Sequence, residues 1–304
     1  MEIVFGDLSL GVMKGDTRYI FAYNLGGVES ISRNGFEFLY RCPSPAFWRA
    51  TTDNDRGNGF SKRSCLWMGA DLFYNVENFS VTADGTLLRW DDLIAPMNNS
   101  LIDSPLRRAS KVSVRFLLST CTQPQAEITV TYTLEEDREG LLVDYLYSGT
   151  EGLPELPVCG MKFILPFRLD SFEWDGLSGE TYPDRLYGAQ EGHWVQESVP
   201  VCPYAVAQDY GMHMGTHRLE IKVSGQSLVL CQEDEPFSFS LLPNSAQELE
   251  MAWHPADLPL YRRTYLTVAA ALRGVGGIDS WGSDVSDCCH IDPAQDHHIS
   301  FRII

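Results

Sequence analysis

Short stretches in which apolar and polar residues alternate recur along almost the whole chain, and they limit the fold more than any other feature. Val112, Val114, Phe116 and Leu118 alternate with Lys111, Ser113 and Arg115, and Ile128, Val130, Tyr132 and Leu134 alternate with threonines. Leu219-Ile221-Val223, Leu228-Leu230, Phe237-Phe239, Leu266-Val268-Ala270-Leu272 and Ile299-Phe301-Ile303 continue the series. A period of two puts every second side chain on one face of a strand. Such strands, recurring at roughly 10- to 15-residue spacing between turn residues, are the mark of an antiparallel sandwich. Asn34-Gly35 is a hairpin signal of the same kind. Leu142–Tyr147 is a more fully buried run, and Val158–Leu169 is long enough for a strand of a wide sheet.

Ser61–Val76 departs from this pattern. Cys65, Leu66, Met68, Leu72, Phe73 and Val76 stand at helical spacing, which predicts one short helix with Ser61 as N-cap. A second helix is expected over Asp184–Gly188. There is no linker, repeat or low-complexity stretch, so residues 1–304 are read as a single all-β domain with one short helix.

Hydrophobic residues make up 44% of the chain, which excludes a disordered protein. The formal charge of −18 argues against nucleic acid and against an anionic membrane surface, both of which are bound by Lys and Arg. It leaves neutral sugars open. No apolar stretch reaches the ~18 residues of a membrane span. Met1–Asp7 has neither the basic nor the apolar region of a secretory signal, so a cytoplasmic protein is expected. The scattered cysteines at 42, 65, 121, 159, 202, 231, 288 and 289 then read as reduced and mostly buried thiols. The sequons at Asn78 and Asn98 carry no meaning in that compartment.

Four strings contain residue types with chemical potential. In Trp48-Arg49-Ala50-Thr51-Thr52-Asp53-Asn54-Asp55-Arg56-Gly57-Asn58-Gly59-Phe60, Asp53 and Asp55 point the same way if the segment is extended. Counted from Asp53 as a calcium loop, the sixth and twelfth positions are Asn58 and Ser64, where an EF-hand needs Gly and Glu. A carboxylate pair, a glycine-hinged mobile loop and an ordinary polar loop remain open. Tyr182, Asp184 and Arg185 could line a polyol pocket or form an ion pair that fixes a turn. In Gly276-Gly277-Ile278-Asp279-Ser280-Trp281-Gly282, a Trp among glycines has little apolar neighbourhood of its own. It either caps the sandwich edge or offers a face to the apolar side of a pyranose. Cys288-Cys289-His290-Ile291-Asp292 has metal-ligand types without zinc spacing. No GxSxG, Walker A, HExxH or GxGxxG string occurs.

Taken together, WRATTDNDRGNGF, YPDRLYGAQEGHW and GGIDSWGSDV resemble, in order and spacing, the C-terminal β-sandwich region of family 2 β-galactosidases. In some bacteria that region is a separate small subunit. The resemblance covers essentially the whole chain and implies a galactose mutarotase-like supersandwich. Departures fall at Gly176–Arg185, about one residue short of the family string, and at Tyr210–Arg218, which matches loosely.

The resemblance also implies where the chemistry is not. A retaining glycosidase needs two carboxyl groups about 5 to 5.5 Å apart. In the family both belong to a TIM barrel of about 250 residues, for which an all-β chain of this length has no room. The isolated chain is therefore expected to be inactive, with no catalytic residue, metal ligand or cofactor of its own. Magnesium and sodium belong to the large catalytic partner, and an oligomeric assembly acting on a β-galactoside such as lactose is expected. The implied roles are Trp281 as a substrate platform, Asp279 and Ser280 orienting its loop, and Asp53, Asn54, Asp55, Gly57, Asn58 and Gly59 forming a mobile loop beside the site. Arg49, Tyr182, Asp184 and Arg185 are structural or line the pocket. Two other readings stay open: a stand-alone aldose 1-epimerase using an acid/base pair drawn from His193, His213, His217, Glu180 and Glu191, or a non-catalytic carbohydrate-binding module.

Overall fold

The computed structural model describes residues 1–89 and 107–304; Asn98 lies outside them, and Asn78 is in a strand. The alternating stretches form strands, and the pairings among the described residues are antiparallel. Strands β1 (Glu2–Phe5), β2 (Ser9–Lys14), β3 (Thr17–Ala22), β4 (Gly27–Arg33) and β5 (Phe36–Glu37) make a five-stranded meander. A ten-stranded sheet follows the order β14 (Glu191–Gln196), β13 (Ser171–Leu177), β16 (Arg218–Val223), β17 (Gln226–Gln232), β20 (His297–Ile303), β11 (Arg138–Ser148), β10 (Glu127–Glu135), β9 (Lys111–Thr120), β7 (Tyr74–Ala83) and β8 (Thr86–Leu87). A second five-stranded sheet runs β15 (Met212–Thr216), β18 (Phe237–Leu242), β19 (Thr264–Leu272), β12 (Val158–Leu165) and β6 (Ser44–Ala46).

Both small sheets cover the same face of the large one. Tyr132 on β10 faces the register position of Val143 on β11, which in turn pairs with Phe301 on β20. Tyr132 packs on Phe21 of the meander at 5.7 Å between ring centroids, and Phe301 packs on Phe163 of the second small sheet at 6.1 Å. Tyr132, Val143, Phe163, Phe21 and Phe301 are all buried in one continuous core. Burial of side chains this size contributes roughly 1.5–3 kcal/mol each and sets the register, since a one-residue slip would turn each strand inside out.

The helical expectation needs correction. Instead of one helix over Ser61–Val76 there are two short ones, α2 (Phe60–Arg63) and α3 (Leu66–Ala70), preceded by α1 (Asp53–Gly57). Ser61 is not a cap: Gly59, with φ +77°, occupies that position for α2. The segment breaks because its two large anchors are held by different surroundings. Phe60 lies under the Arg273 guanidinium, and Trp67 packs on Phe47 and Tyr147 and donates its indole N–H to the Pro154 carbonyl at 2.8 Å. From Tyr74 onward the backbone pairs with β9. Asp184–Gly188 is two successive turns, not a helix, closed by Arg185 N to Tyr182 O and Ala189 N to Leu186 O. A helix that the reading missed, α4 (Ala246–Met251), is announced by a capping box in which Ser245 and Glu248 each accept from the other's backbone N–H.

The cysteines are free thiols, but only Cys42, Cys159, Cys202 and Cys289 are buried; Cys65, Cys121 and Cys288 are exposed. None of the helices among the described residues is long and apolar enough to cross a membrane.

Candidate functional site

The three motif strings, far apart in sequence, meet at one end of the sandwich. Thr52 caps α1, its hydroxyl accepting from Asp55 N while the Asp55 carboxylate accepts from Thr52 N at 2.9 Å. Asp55 is buried and receives Arg49 Nη1 at 2.6 Å and Arg273 Nη1 at 3.2 Å. Arg273, at the end of β19 and fully buried, also pairs with Glu155 at 2.7 Å and with Asp284. Its guanidinium lies 3.8 Å from the Phe60 ring centroid. Arg49 donates in addition to the Gly274 carbonyl at 3.1 Å.

From this hub the structure builds outward to the Trp281 loop. Asp184 accepts from Val275 N at 3.0 Å and Gly276 N at 2.7 Å, Arg185 donates to Gly276 O at 2.9 Å, and Asn54 donates to Val275 O at 2.9 Å. On the far side of the loop Asn58 and Arg63 both donate to Asp284, at 3.2 and 2.9 Å. Gly282, with φ +82°, lies so close to Gly57 that an added Cβ would sit 3.0 Å from the Gly57 carbonyl oxygen. That position therefore requires glycine. Within the loop, Asp279 accepts from Trp281 N, Ser283 N and the Ser283 hydroxyl. The hydroxyl that joins Asp279 in fixing the loop is thus that of Ser283; Ser280 is simply exposed. Trp281 stands at the tip, 91% exposed.

These contacts revise two expectations. Asp53 and Asp55 do not point the same way: α1 turns Asp53 outward onto Arg56 at 3.0 Å and Asp55 inward, so the pair cannot act as a catalytic or calcium-binding couple. The supposed glycine hinge reduces to Gly59, because Gly57 lies within α1 and lacks a positive φ. Tyr182 is buried and donates to Asp209 at 2.8 Å, and Arg49 is buried and paired with Asp55. Among the described residues no group of three or more His, Cys, Asp or Glu is arranged to hold a metal.

The epimerase residues do not assemble either. His217 and Glu191 bond directly to each other at 2.8 Å, leaving no space for a sugar between them, and His193 is paired with Asp175 at 2.7 Å. Glu180 accepts from Gly211 N. His213 is buried against Trp174 and Phe239, and burial pushes its imidazole down to about 4, with the Gly179 backbone partly opposing.

Comparison with known proteins decides the family. The model of the β-galactosidase small chain matches residues 13–303. The β-galactosidase small subunit of Latilactobacillus sakei is 43% identical over all of this chain and 97% of its own length. The chain belongs to the β-galactosidase small-chain family. The β-galactosidases of Halalkalibacterium halodurans and Streptococcus thermophilus are similar over the whole small chain, at 31% and 29% identity, but it spans only 28% and 27% of their lengths. A galactose mutarotase-like protein from Lactobacillus casei is similar over 97% of the small chain and 99% of its own, at 10% identity and a TM-score of 0.45.

In the small chain the carboxylates around the site are committed to structure. Burial raises the Asp55 carboxyl, but Arg49 and the Thr52 bonds outweigh it and hold the group below its usual range. Asp284 is treated alike by burial, the Val285 N–H and Arg273. Asp184 and Asp279 are taken up by backbone N–H groups, and Glu250 by Thr51 and the Trp48 indole. Sequence reading missed Arg273, Glu155, Asp209, Asp284 and Glu250. A buried ionic residue carries no periodic signature, and only Asp284 lay within a recognised string.

Asp209 gives a pH prediction. Burial raises its carboxyl from 3.8 to about 6 against the opposing pull of Arg49 and the Tyr182 bond. A raised acid binds its proton more tightly when folded. Its contribution to stability is therefore fully present below the unfolded value and lost as pH rises through about 6. Asp209→Asn should remove this dependence, so that wild type loses about 2–3 kcal/mol relative to the variant between pH 4 and 7. His213 contributes with the opposite sign in the same window, and the difference between wild type and variant cancels it. Parallel pH profiles from urea unfolding would refute the assignment.

Proposed function

We propose that this small chain completes the active site of a catalytic TIM-barrel chain in a family 2 retaining β-galactosidase, acting in the cytoplasm as part of an oligomeric assembly. Trp281 serves as an aromatic platform for a β-galactoside such as lactose. The nucleophile, the acid/base glutamate and any magnesium or sodium ion belong to the partner.

The observation that carries this reading is Trp281 itself. An indole 91% exposed gains nothing from the domain's own core, yet its loop is anchored from beneath by Asp184, Asn54, Asn58 and Asp279. A rigid apolar face held out into solvent is suited to a ligand arriving from outside, because little ordering entropy is lost on contact. The occupied state of the carboxylates agrees with chemistry supplied by another chain.

Trp281→Ala in the assembled enzyme should raise KM for lactose and weaken glucose as an acceptor by about 1–3 kcal/mol, the scale of one lost aromatic contact. The stacking is present in both ground and transition states, so kcat should change less. Unchanged KM and acceptor use would remove the platform.

A further inference from the structure

We infer that the small chain docks on its large catalytic chain through the face built around α1, with Trp253 and Tyr204 as anchors. This deepens the function proposed above and rests on it.

Several exposed apolar side chains surround α1. Met251, the last residue of α4, and Trp253, just beyond it, are 80% and 78% exposed, Val201 is 79% exposed, and Tyr187 and Ile278 are open to solvent as well. Tyr204 is 39% exposed. The segments that carry them are far apart in sequence but tied to the same short helix or to one another. Glu250 accepts from Thr51 N and the Thr51 hydroxyl at 2.7 Å each, at the start of α1. Gln208 accepts from Asp53 N at 2.7 Å, and Arg56 donates to the Ala207 carbonyl at 3.3 Å, so the 201–208 segment runs beside α1. His254 is bonded to the Ala205 carbonyl at 3.2 Å, which joins the Trp253 and Tyr204 segments. Arg185 holds the turn before Tyr187 against Gly276, two residues from Ile278. The end of α1 meets Gly282, next to Trp281.

The segments that carry these exposed side chains therefore adjoin one another and the Trp281 loop around α1. Clustered Trp, Tyr and Met set among polar residues is the composition of an interface core and unusual for a surface that stays in water. One consequence of the proposed function and one observation name the occupant. A partner whose active site receives Trp281 must cover the surface from which Trp281 projects. In the H. halodurans and S. thermophilus relatives, the stretch similar to this chain is joined to a remainder of the same polypeptide, which makes up the other 72% and 73% of their lengths (100 − 28 and 100 − 27). In the two-chain enzyme that remainder corresponds to the large chain, and the face must be closed by association.

The test is the affinity of the purified small chain for the large chain of its own enzyme, measured by biolayer interferometry, with sedimentation of the small chain alone. Wild type, Trp253→Glu, Tyr204→Glu and Phe73→Glu are compared, with near-UV circular dichroism to check the fold. Phe73 follows α3, outside this face, and is 67% exposed. Trp253→Glu and Tyr204→Glu should each raise Kd by about tenfold or more, the effect of removing a central aromatic anchor, while Phe73→Glu stays within about twofold. The reverse pattern would place the interface at the Phe73 patch and overturn the inference. So would a small-chain dimer that Trp253→Glu dissociates while large-chain affinity is unchanged, since the face would then be closed by a second copy. Wild type that fails to bind the large chain at all would instead overturn the proposed function, and the docking face with it.

Discussion

Replacing Asp55 with alanine is expected to remove about 3–5 kcal/mol of folding stability at neutral pH, the cost of leaving a buried charge without its partner. Asp55 joins two buried guanidiniums; its loss leaves Arg49 without the carboxylate it pairs with and takes one of three from Arg273, which keeps Glu155 and Asp284. The capping box at Thr52 goes with it. Because the folded carboxyl is held below its ordinary value, the stability it contributes is present above the usual carboxylate range and is lost as pH falls through its folded value. The penalty of Asp55→Ala should therefore shrink in acid. Substituting both members of the pair, Arg49→Met with Asp55→Leu, should cost less than the two single changes summed, since the double variant leaves fewer unpaired charges behind. Urea unfolding followed by tryptophan fluorescence measures all five proteins: wild type, Asp55→Ala, Arg49→Met, Asp55→Leu and the double variant. A penalty under about 1 kcal/mol for Asp55→Ala would mean that the ion network is idle.

The second large effect is on activity. The isolated small chain should hydrolyse no β-galactoside, and adding the large chain should restore turnover. Positioned acid/base groups alone are worth about 10²–10⁴ in rate. The lone chain lacks the nucleophile as well, so the gap between it and the assembled enzyme should be at least about 10⁶-fold, the low end of enzymatic rate enhancement. The physical ground lies in the site itself. Asp55, Asp184, Asp279, Asp284 and Glu250 are occupied by guanidiniums, hydroxyls or backbone N–H groups, and Asp209 is buried under Tyr182. None is free to attack an anomeric carbon or protonate a leaving oxygen. Turnover by pure small chain, abolished by one glutamate substitution within it, would overturn this reading.

The sheet architecture could be read from the sequence because strand burial is a local, periodic property. The alternation at Val112–Leu118 and Ile128–Leu134 becomes β9 and β10 almost residue for residue. The glycine neighbours of Trp281 left two settings open, a cap on the sandwich edge or an exposed face, and the structure decides for exposure at 91%. The helices were misread because Phe60 and Trp67 are pulled into different surroundings, a choice made by Arg273, Phe47 and Tyr147 from elsewhere in the chain. Asp53 and Asp55 looked like a pair on an extended strand, and a one-turn helix separated them. That helix is fixed by an arginine more than 200 residues away, since Arg273 and Asp55 are 218 positions apart. Periodicity and turn chemistry act over a few residues, so they were enough to set the all-β class and the strands, while the setting of Trp281 waited for the fold. Buried charge can be satisfied only by whatever the folded chain brings next to it. Tertiary structure alone therefore decided that three separate strings close around Asp55, and which aromatic-bearing segments adjoin the Trp281 loop.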